Sequence, residues 1–144
     1  MRTTTTGRGS ARSVVVCRET ETEARAFWHH YVHELGDLEA ADNLMRGIGL
    51  ESDVLGKENY ERERDRFISG WGGVQMIGTP EQVAERLALL SEAGCDGTLL
   101  LFPIWEEGLS QFRDEVLPLL ERAGLRQPYV GQASAEGATA GARS

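Results

Sequence analysis

The 144-residue sequence has only two cysteines and no apolar run near the ~20 residues that a membrane-spanning helix needs. Cys17 and Cys95 lie far apart, each in or beside a predicted strand, which favours free thiols of a cytoplasmic protein over a disulfide. The amino-terminal stretch MRTTTTGRGSARS is basic but has no apolar core, so we expect no secretory signal there.

Positive charge is also scarce. Fifteen Lys and Arg against 23 Asp and Glu give a net charge of −8, which argues against nucleic acid and anionic membrane as partners. The sequence lacks the GxGxxG, Walker A and GxSxG motifs, and with them the usual signals for dinucleotide, phosphate-loop and serine-hydrolase chemistry. Its 40% hydrophobic and 26% charged residues are typical of a globular domain.

Residues 70–124 show the strongest pattern in the chain, which predicts strand, helix, strand and helix. VQMIG at 74–78 and TLLLF at 98–102 are short apolar runs typical of buried parallel strands. Between them, Thr79 and Gln82 form a capping box that starts a helix. Consecutive βα units of this kind build parallel α/β sheets or barrels.

The upstream half continues the pattern less regularly. A strand is predicted at 13–17, and Thr20 with Glu23 forms a second capping box before a helix that ends at Gly36. A short helix from Asp37, a glycine-rich loop at 47–56 and a charged helix at 57–69 follow, while 1–10 and 128–144 are predicted to be disordered or flexible. We expect the three strands to be parallel neighbours in chain order.

Several of these motifs resemble a known family. GTPEQVAERL, EAGCDGTLLLF and FRDEVLPLLERAGLR are similar to the last two βα units of luciferase-like flavin-dependent monooxygenases, and SVVVCRETETEA is similar to their sixth strand. GDLEAADNLM and RFISGWGG most resemble the branch that oxidises sulfones, alkanesulfonates and pyrimidines. The resemblance covers residues 11–127 and implies the C-terminal part of a (β/α)8 barrel, left incomplete because a whole barrel needs ~250 residues. Residues 36–70 would be an insertion that serves as a lid.

The resemblance also implies a function. Its members take reduced FMN from a separate flavin reductase and use dioxygen to oxidise a small-molecule substrate. Most of the flavin site would come from earlier βα units, so the isolated chain is expected to be inactive. It would then act with an N-terminal half or a second copy. The alternative is a non-catalytic remnant whose sheet edge and apolar helix faces serve only association.

Candidate site residues follow from the rule that barrel active sites lie at the carboxyl ends of strands. The rule selects segments 17–18, 76–79 and 102–105, and within them Gly78, Thr79, Phe102 and Trp105 as flavin-binding or pocket-wall residues. Arg12 is added because the resemblance places it where some members carry a flavin-site arginine. Where those members have a histidine and a tyrosine, this chain has Val14 and Phe102, and a plain core role is the alternative for both.

Trp71 is flanked by glycines in GWGG, directly before the second strand. We expect its indole to wall the flavin or substrate pocket at the carboxyl ends of the strands. The alternative is a structural plug.

Two further clusters favour plain explanations. His29 and His33 have the i, i+4 spacing of zinc ligands, but they lack the adjacent glutamate and a third ligand, so a solvated helix surface without metal is predicted. Arg62 and Arg66 belong to a helix with alternating charge, whose alternative role is to meet an anionic group in the pocket.

Overall fold

The computed structural model describes residues 9–130; most of the two segments predicted to be disordered lies outside them. Three strands form the sheet: β1 (Gly9–Cys17), β2 (Val74–Gly78) and β3 (Cys95–Leu101). The helices are α1 (Glu21–His29, continued by a π-helical turn at His30–Glu34), α2 (Leu38–Gly47), α3 (Ser52–Leu55), α4 (Lys57–Gly70), α5 (Pro80–Glu92), α6 (Trp105–Gln111, continued by a π-helical turn at Phe112–Val116) and α7 (Leu117–Arg122).

The elements follow the sequence patterns with three differences in bounds. β3 covers Cys95–Leu101 rather than residues 98–102. β1 begins at Gly9 rather than at residue 13, because its early residues pair with β3 from Cys95 onwards. The loop predicted at 47–56 contains the single turn of α3. None of the described helices is both long and apolar enough to cross a membrane.

Both predicted capping boxes are present. The Thr20 hydroxyl accepts from the Glu23 N–H at 3.2 Å, and the Glu23 carboxylate accepts from the Thr20 N–H at 3.1 Å. Thr79 and Gln82 repeat the arrangement at 3.3 and 2.9 Å. These local bonds satisfy amide groups that the first helical turn leaves without partners, which explains why both helix starts could be found from sequence.

The sheet is parallel and unclosed, which confirms the predicted fold class, but the expected strand order is wrong. The order is β2–β1–β3, with Val15 opposite Met76 on one side of β1 and Arg12 opposite Leu99 on the other. β1 is the most buried strand, with Ser13 to Cys17 all at most 4% exposed. With β1 in the centre, the strand whose two faces are buried also has a hydrogen-bonded neighbour on each side. The shorter strands β2 and β3 then form the two edges of the sheet.

Helices cover both faces of this sheet. Ala24, Phe27 and Tyr31 of the α1 segment pack with Val14 and Val16 on one face. On the other face, Val15 and Met76 pack with a set from α5, the second π-helical turn and α7: Val83, Phe112, Val116 and Leu120. The connection from β1 to β2 and the connection from β2 to β3 run in opposite directions across the sheet. If both are right-handed, as is usual, their helices must lie on opposite faces.

The predicted insertion packs on the α1 face. Ser69 of α4 accepts from the Trp28 indole at 3.1 Å and lies 2.8 Å from the Tyr31 hydroxyl. Gly70 is in close contact with Val14, where the helix passes directly over β1. The insertion is therefore anchored to the core through α4, and its role as a lid stays a prediction.

Candidate functional site

The carboxyl ends of β1 and β3 form a crevice. After β1 the chain turns to α1 on one face of the sheet, whereas after β3 it turns towards Phe112 on the other. A point where neighbouring parallel strands send their connections to opposite faces is where open α/β sheets bind ligands. The crevice is lined mainly by Cys17, Arg18, Phe27, Phe102, Pro103 and Glu107.

Arg18 lies at the centre of this crevice, one residue beyond the end of β1. One guanidinium nitrogen donates to the Cys17 carbonyl at 2.7 Å, and the guanidinium carbon lies 4.1 Å from the centre of the Phe27 ring. The second terminal nitrogen is 3.4 Å from the Glu107 carboxylate. The Arg18 N–H also donates to the Gly78 carbonyl at 3.1 Å, which ties this position to the end of β2. The charge is thus held by stacking and backbone contacts, with one loose ionic partner.

Aromatic side chains line the β3 side. Phe102 meets the Trp105 ring edge to face at 5.9 Å and the Phe112 ring at 5.8 Å. A Cβ on Gly108 would lie 2.7 Å from the Phe102 ring, so a glycine is needed for this packing. Trp105 is 60% exposed and can present an apolar surface to a ligand or to another chain.

Gly78 and Thr79 lie at the same edge, at the end of β2, but their contacts are structural. The Thr79 hydroxyl caps α5, and a Cβ on Gly78 would collide with the Gln82 side chain. The Gln82 amide in turn donates to Glu21 at 2.9 Å. This bond, together with Arg25, holds the pKa of Glu21 below its ordinary value. The network links the starts of α1 and α5 across the edge of the sheet.

Cys17 is a free thiol, as predicted, and so is Cys95. Burial, reinforced by the charge of Glu115 and only partly opposed by Arg18, raises the pKa of Cys17 to about 11. The thiol is therefore protonated near neutral pH and unsuited to nucleophilic chemistry.

Two residues expected at this site lie elsewhere. Trp71 ends α4 and precedes β2, so it lies at the amino end of the strands, and the expectation that it lies at their carboxyl ends is wrong. It is 64% exposed, with a left-handed φ of 54°, and walls an open cleft of about 440 Å³ with α2. Arg12 is exposed and lies opposite Leu99, five residues before the end of β1, and a flavin role for it stays a prediction.

The histidines and the charged helix do not contribute to the crevice. His30 lies 2.7 Å from Glu34 and His33 lies 3.5 Å from Asp65, on an exposed surface. Within residues 9–130 no group of three or more potential ligands is placed to hold a metal ion. Arg66 pairs with Glu63 at 2.9 Å and donates to the Gly72 carbonyl at 2.9 Å, while Arg62 donates to Asn59 at 2.7 Å.

Sequence reasoning missed two members of the crevice, Phe27 and Glu107. Phe27 reads as an ordinary core position of an amphipathic helix, and Glu107 as an exposed carboxylate in the first turn of α6. The two side chains meet at Arg18 because β3 pairs with β1. The local sequence pattern does not predict that pairing.

Comparison with known proteins agrees with the fold. No family model matches. The chain is 30% identical over 99 residues to N-acetyl-S-(2-succino)cysteine monooxygenase of Bacillus subtilis, covering 66% of this chain and 22% of that protein. It is 30% identical over 115 residues to the FMNH(2)-dependent dimethylsulfone monooxygenase of Pseudomonas putida, covering 74% and 30%.

Solved structures give the fold class. DmoA from Hyphomicrobium sulfonivorans superimposes with a TM-score of 0.64 at 21% identity, covering 83% of this chain and 31% of that one. Long-chain alkane monooxygenase LadA gives 0.61 at 23% identity, covering 83% and 30%. The described fold is thus an incomplete parallel α/β barrel.

The relatives are luciferase-like monooxygenases, and the chain is homologous to that flavin-dependent family over the aligned region. It spans between 22% and 30% of the length of the curated relatives that it matches.

Proposed function

We propose that this chain contributes the carboxyl-terminal βα units of an FMN-dependent monooxygenase, which inserts oxygen from O2 into a small organic substrate. In this proposal a separate reductase supplies the reduced flavin, and the protein is cytoplasmic. The observation that carries it is the alignment of about three quarters of the chain with an FMNH(2)-dependent monooxygenase. The aromatic and cationic crevice at the carboxyl ends of the strands, where barrel enzymes place their chemistry, supports it.

The side chains present fit one side of a flavin site. Phe102 and Trp105 offer an apolar wall, and Arg18 offers a charge for an anionic group. The crevice itself has only about 10 Å³ of free space, roughly what one water occupies, so residues 9–130 do not enclose a flavin by themselves. Bound reduced FMN would supply the activation of dioxygen, while this chain would exclude water and orient the substrate.

The sheet has room for the remaining units of a barrel. The outer edges of β2 and β3 have no partner strand within the described residues. Leu99 of β3 is 60% exposed, and an apolar cleft of about 390 Å³ lies beside β3 between α5 and α7. Further parallel strands could therefore pair at either outer edge while the crevice between β1 and β3 is kept.

A second candidate function is association alone. The same exposed apolar side chains and free edges would serve a non-catalytic module that binds a separate N-terminal half or a second copy of itself. This candidate predicts binding without any gain in flavin affinity or turnover.

Titration with FMN separates the two. The purified chain would be titrated alone and together with the first five βα units of a homologous sulfone monooxygenase, with flavin fluorescence as the readout. The monooxygenase proposal expects FMN binding only by the mixture, and product from dimethylsulfone when a flavin reductase and NADH are added. Complex formation without flavin binding would support the association function, and product from the chain alone would contradict the incomplete-site argument.

A further inference from the structure

We propose that the outer edge of β3 is a self-association surface, at which a second copy of this chain adds its own β3 in the antiparallel direction. In the same proposal, Arg86 closes the outer edge of β2 to such a contact. The product is a dimer with one continuous six-stranded sheet. The inference rests on the sheet itself, and it names the surface and the partner that the association candidate leaves open.

The outer edge of β2 is covered by a side chain of this chain. The Gly78 carbonyl accepts from the Arg18 N–H and therefore points towards β1. Because carbonyl directions alternate along a strand, those of Gln75 and Ile77 point the other way, to the outer edge. Arg86 of α5 donates to both of them, at 3.4 Å to Gln75 and at 3.0 Å to Ile77. A strand can therefore pair there only if it displaces a charged donor from the acceptors that it needs.

The outer edge of β3 has no such cover within residues 9–130. The register with β1 passes over Asp96, and this bulge with its exposed carboxylate interrupts the amino end of the strand. Beyond the bulge, TLLLF at 98–102 contains neither a charge nor a proline, and Leu99 is 60% exposed. Charged side chains, prolines and bulges are the usual protections of an edge strand, so residues 98–101 form an unprotected edge.

A two-fold axis at Leu99 makes this edge complementary to itself. Leu101 packs on the α1 face of the sheet and Leu100 on the other, so Leu99 belongs to the α1 face. In antiparallel pairing centred on Leu99, this side chain lies opposite its own copy, while Thr98 lies opposite Leu100 of the second copy. The apolar cleft of about 390 Å³ lies on the Leu100 face, so the clefts of the two copies adjoin and cover each other.

The covered edge of β2 explains why the assembly stops at two copies. The symmetric contact uses the open edge of both copies, and only the two edges covered by Arg86 remain. A contact of β3 with the β2 of the next copy would leave a free β3 at the end of the assembly and would continue without closing. Arg86 disfavours that second mode, so the sheet favours a closed dimer over a fibre.

Sedimentation velocity of the purified full chain tests the contact, over a wide range of concentration and in enough salt to screen the net charge of −8. Wild type should show a reversible equilibrium between monomer and dimer. Leu99→Lys puts two like charges opposite each other at the two-fold axis and should weaken dimerisation at least about fivefold. Leu89→Lys is the matched control and should leave it unchanged, because Leu89 is 57% exposed on α5 and does not line the cleft beside β3.

A second set of variants tests the role of Arg86. Arg86→Met removes the donors that cover β2 and should produce species larger than a dimer, because β3 of one copy can then pair with β2 of the next. Arg86→Lys keeps a charged donor and should stay dimeric. Arg62→Met places the same new side chain on the exposed surface of α4 and controls for the added apolar surface. Leu99→Lys combined with Arg86→Met should suppress the large species.

The proposal is overturned if wild type stays monomeric at every concentration, or if Leu99→Lys dimerises as tightly as Leu89→Lys. It is also overturned if Arg86→Met assembles no further than Arg62→Met. The first two comparisons hold even where Arg86→Met fails to fold, which circular dichroism would show. Because no flavin is present, failure of the FMN titration leaves this result standing, and a monomeric wild type leaves the monooxygenase proposal to its own test.

Discussion

The packing of α4 over β1 leads to a sharp prediction for Gly70→Ala. A Cβ at Gly70 would collide with a methyl group of Val14, which is 1% exposed and belongs to the central strand. A β-branched side chain in a buried strand has little freedom to rotate away. Overpacking of this kind costs about 1–3 kcal/mol, against a gain of up to about 1 kcal/mol from helix propensity. We expect a net loss of about 1–2 kcal/mol in the free energy of unfolding, seen as a fall of about 0.5–1 M in the urea midpoint.

Gly47→Ala is the matched control. Gly47 is the last residue of α2, and a Cβ there would meet nothing within 4 Å. The substitution should therefore be neutral or stabilise by up to about 1 kcal/mol. Adding Val14→Ala to Gly70→Ala should cost less than the sum of the two single changes, because the smaller side chain removes the collision. Equal stability of the two glycine variants would refute the contact of α4 with β1.

Four further predictions concern other parts of the chain. Thr79→Ala should lower the free energy of unfolding by about 1 kcal/mol through loss of the α5 cap, and Thr79→Ser should retain most of it in the same urea assay. Trp71→Gly should raise the thermal midpoint, because glycine adopts the left-handed backbone at this position without strain and the lost side chain is mostly exposed. The expected gain is about 0.5–1 kcal/mol in the free energy of unfolding. A lower midpoint would show that the indole packs more than its exposure indicates. Cys17 should react with a disulfide reagent at pH 8 much more slowly than Cys95, and equal rates would refute its burial. Folding raises the pKa of Cys17 from 9.0 to about 11. The contribution of this thiol to stability is therefore full below pH 9 and is lost as the pH rises towards 11. The free energy of unfolding from urea melts should accordingly be lower at about pH 10.5 than at about pH 8.

The candidate site was predictable in part. The last apolar residues before a capping box mark the ends of β1 and β2 in the sequence, and this located Thr79 and the segment after β1. The end of β3 was placed from its apolar run alone, because no capping box follows it. The placement of Trp71 failed for a simple geometric reason. A residue that precedes a strand lies at the amino end of a parallel sheet, whatever its flanking glycines allow. The partners of Arg18 could not be predicted from the sequence, because Phe27 lies in the helix after β1 and Glu107 in the helix after β3.

What the sequence determined by itself is the set of elements. Capping boxes, glycine stops and apolar runs act over a few residues, so α1, α5 and the three strands could be placed from local patterns alone. The order of the strands was decided only by tertiary structure. Two edges of a three-stranded sheet must stay unpaired in any order. Pairing β3 with β1 gives the most buried strand a partner on both edges and adds the 2.7 Å bond between Ser13 and Thr98. That choice depends on contacts between residues 85 positions apart, and it is also what creates the crevice around Arg18.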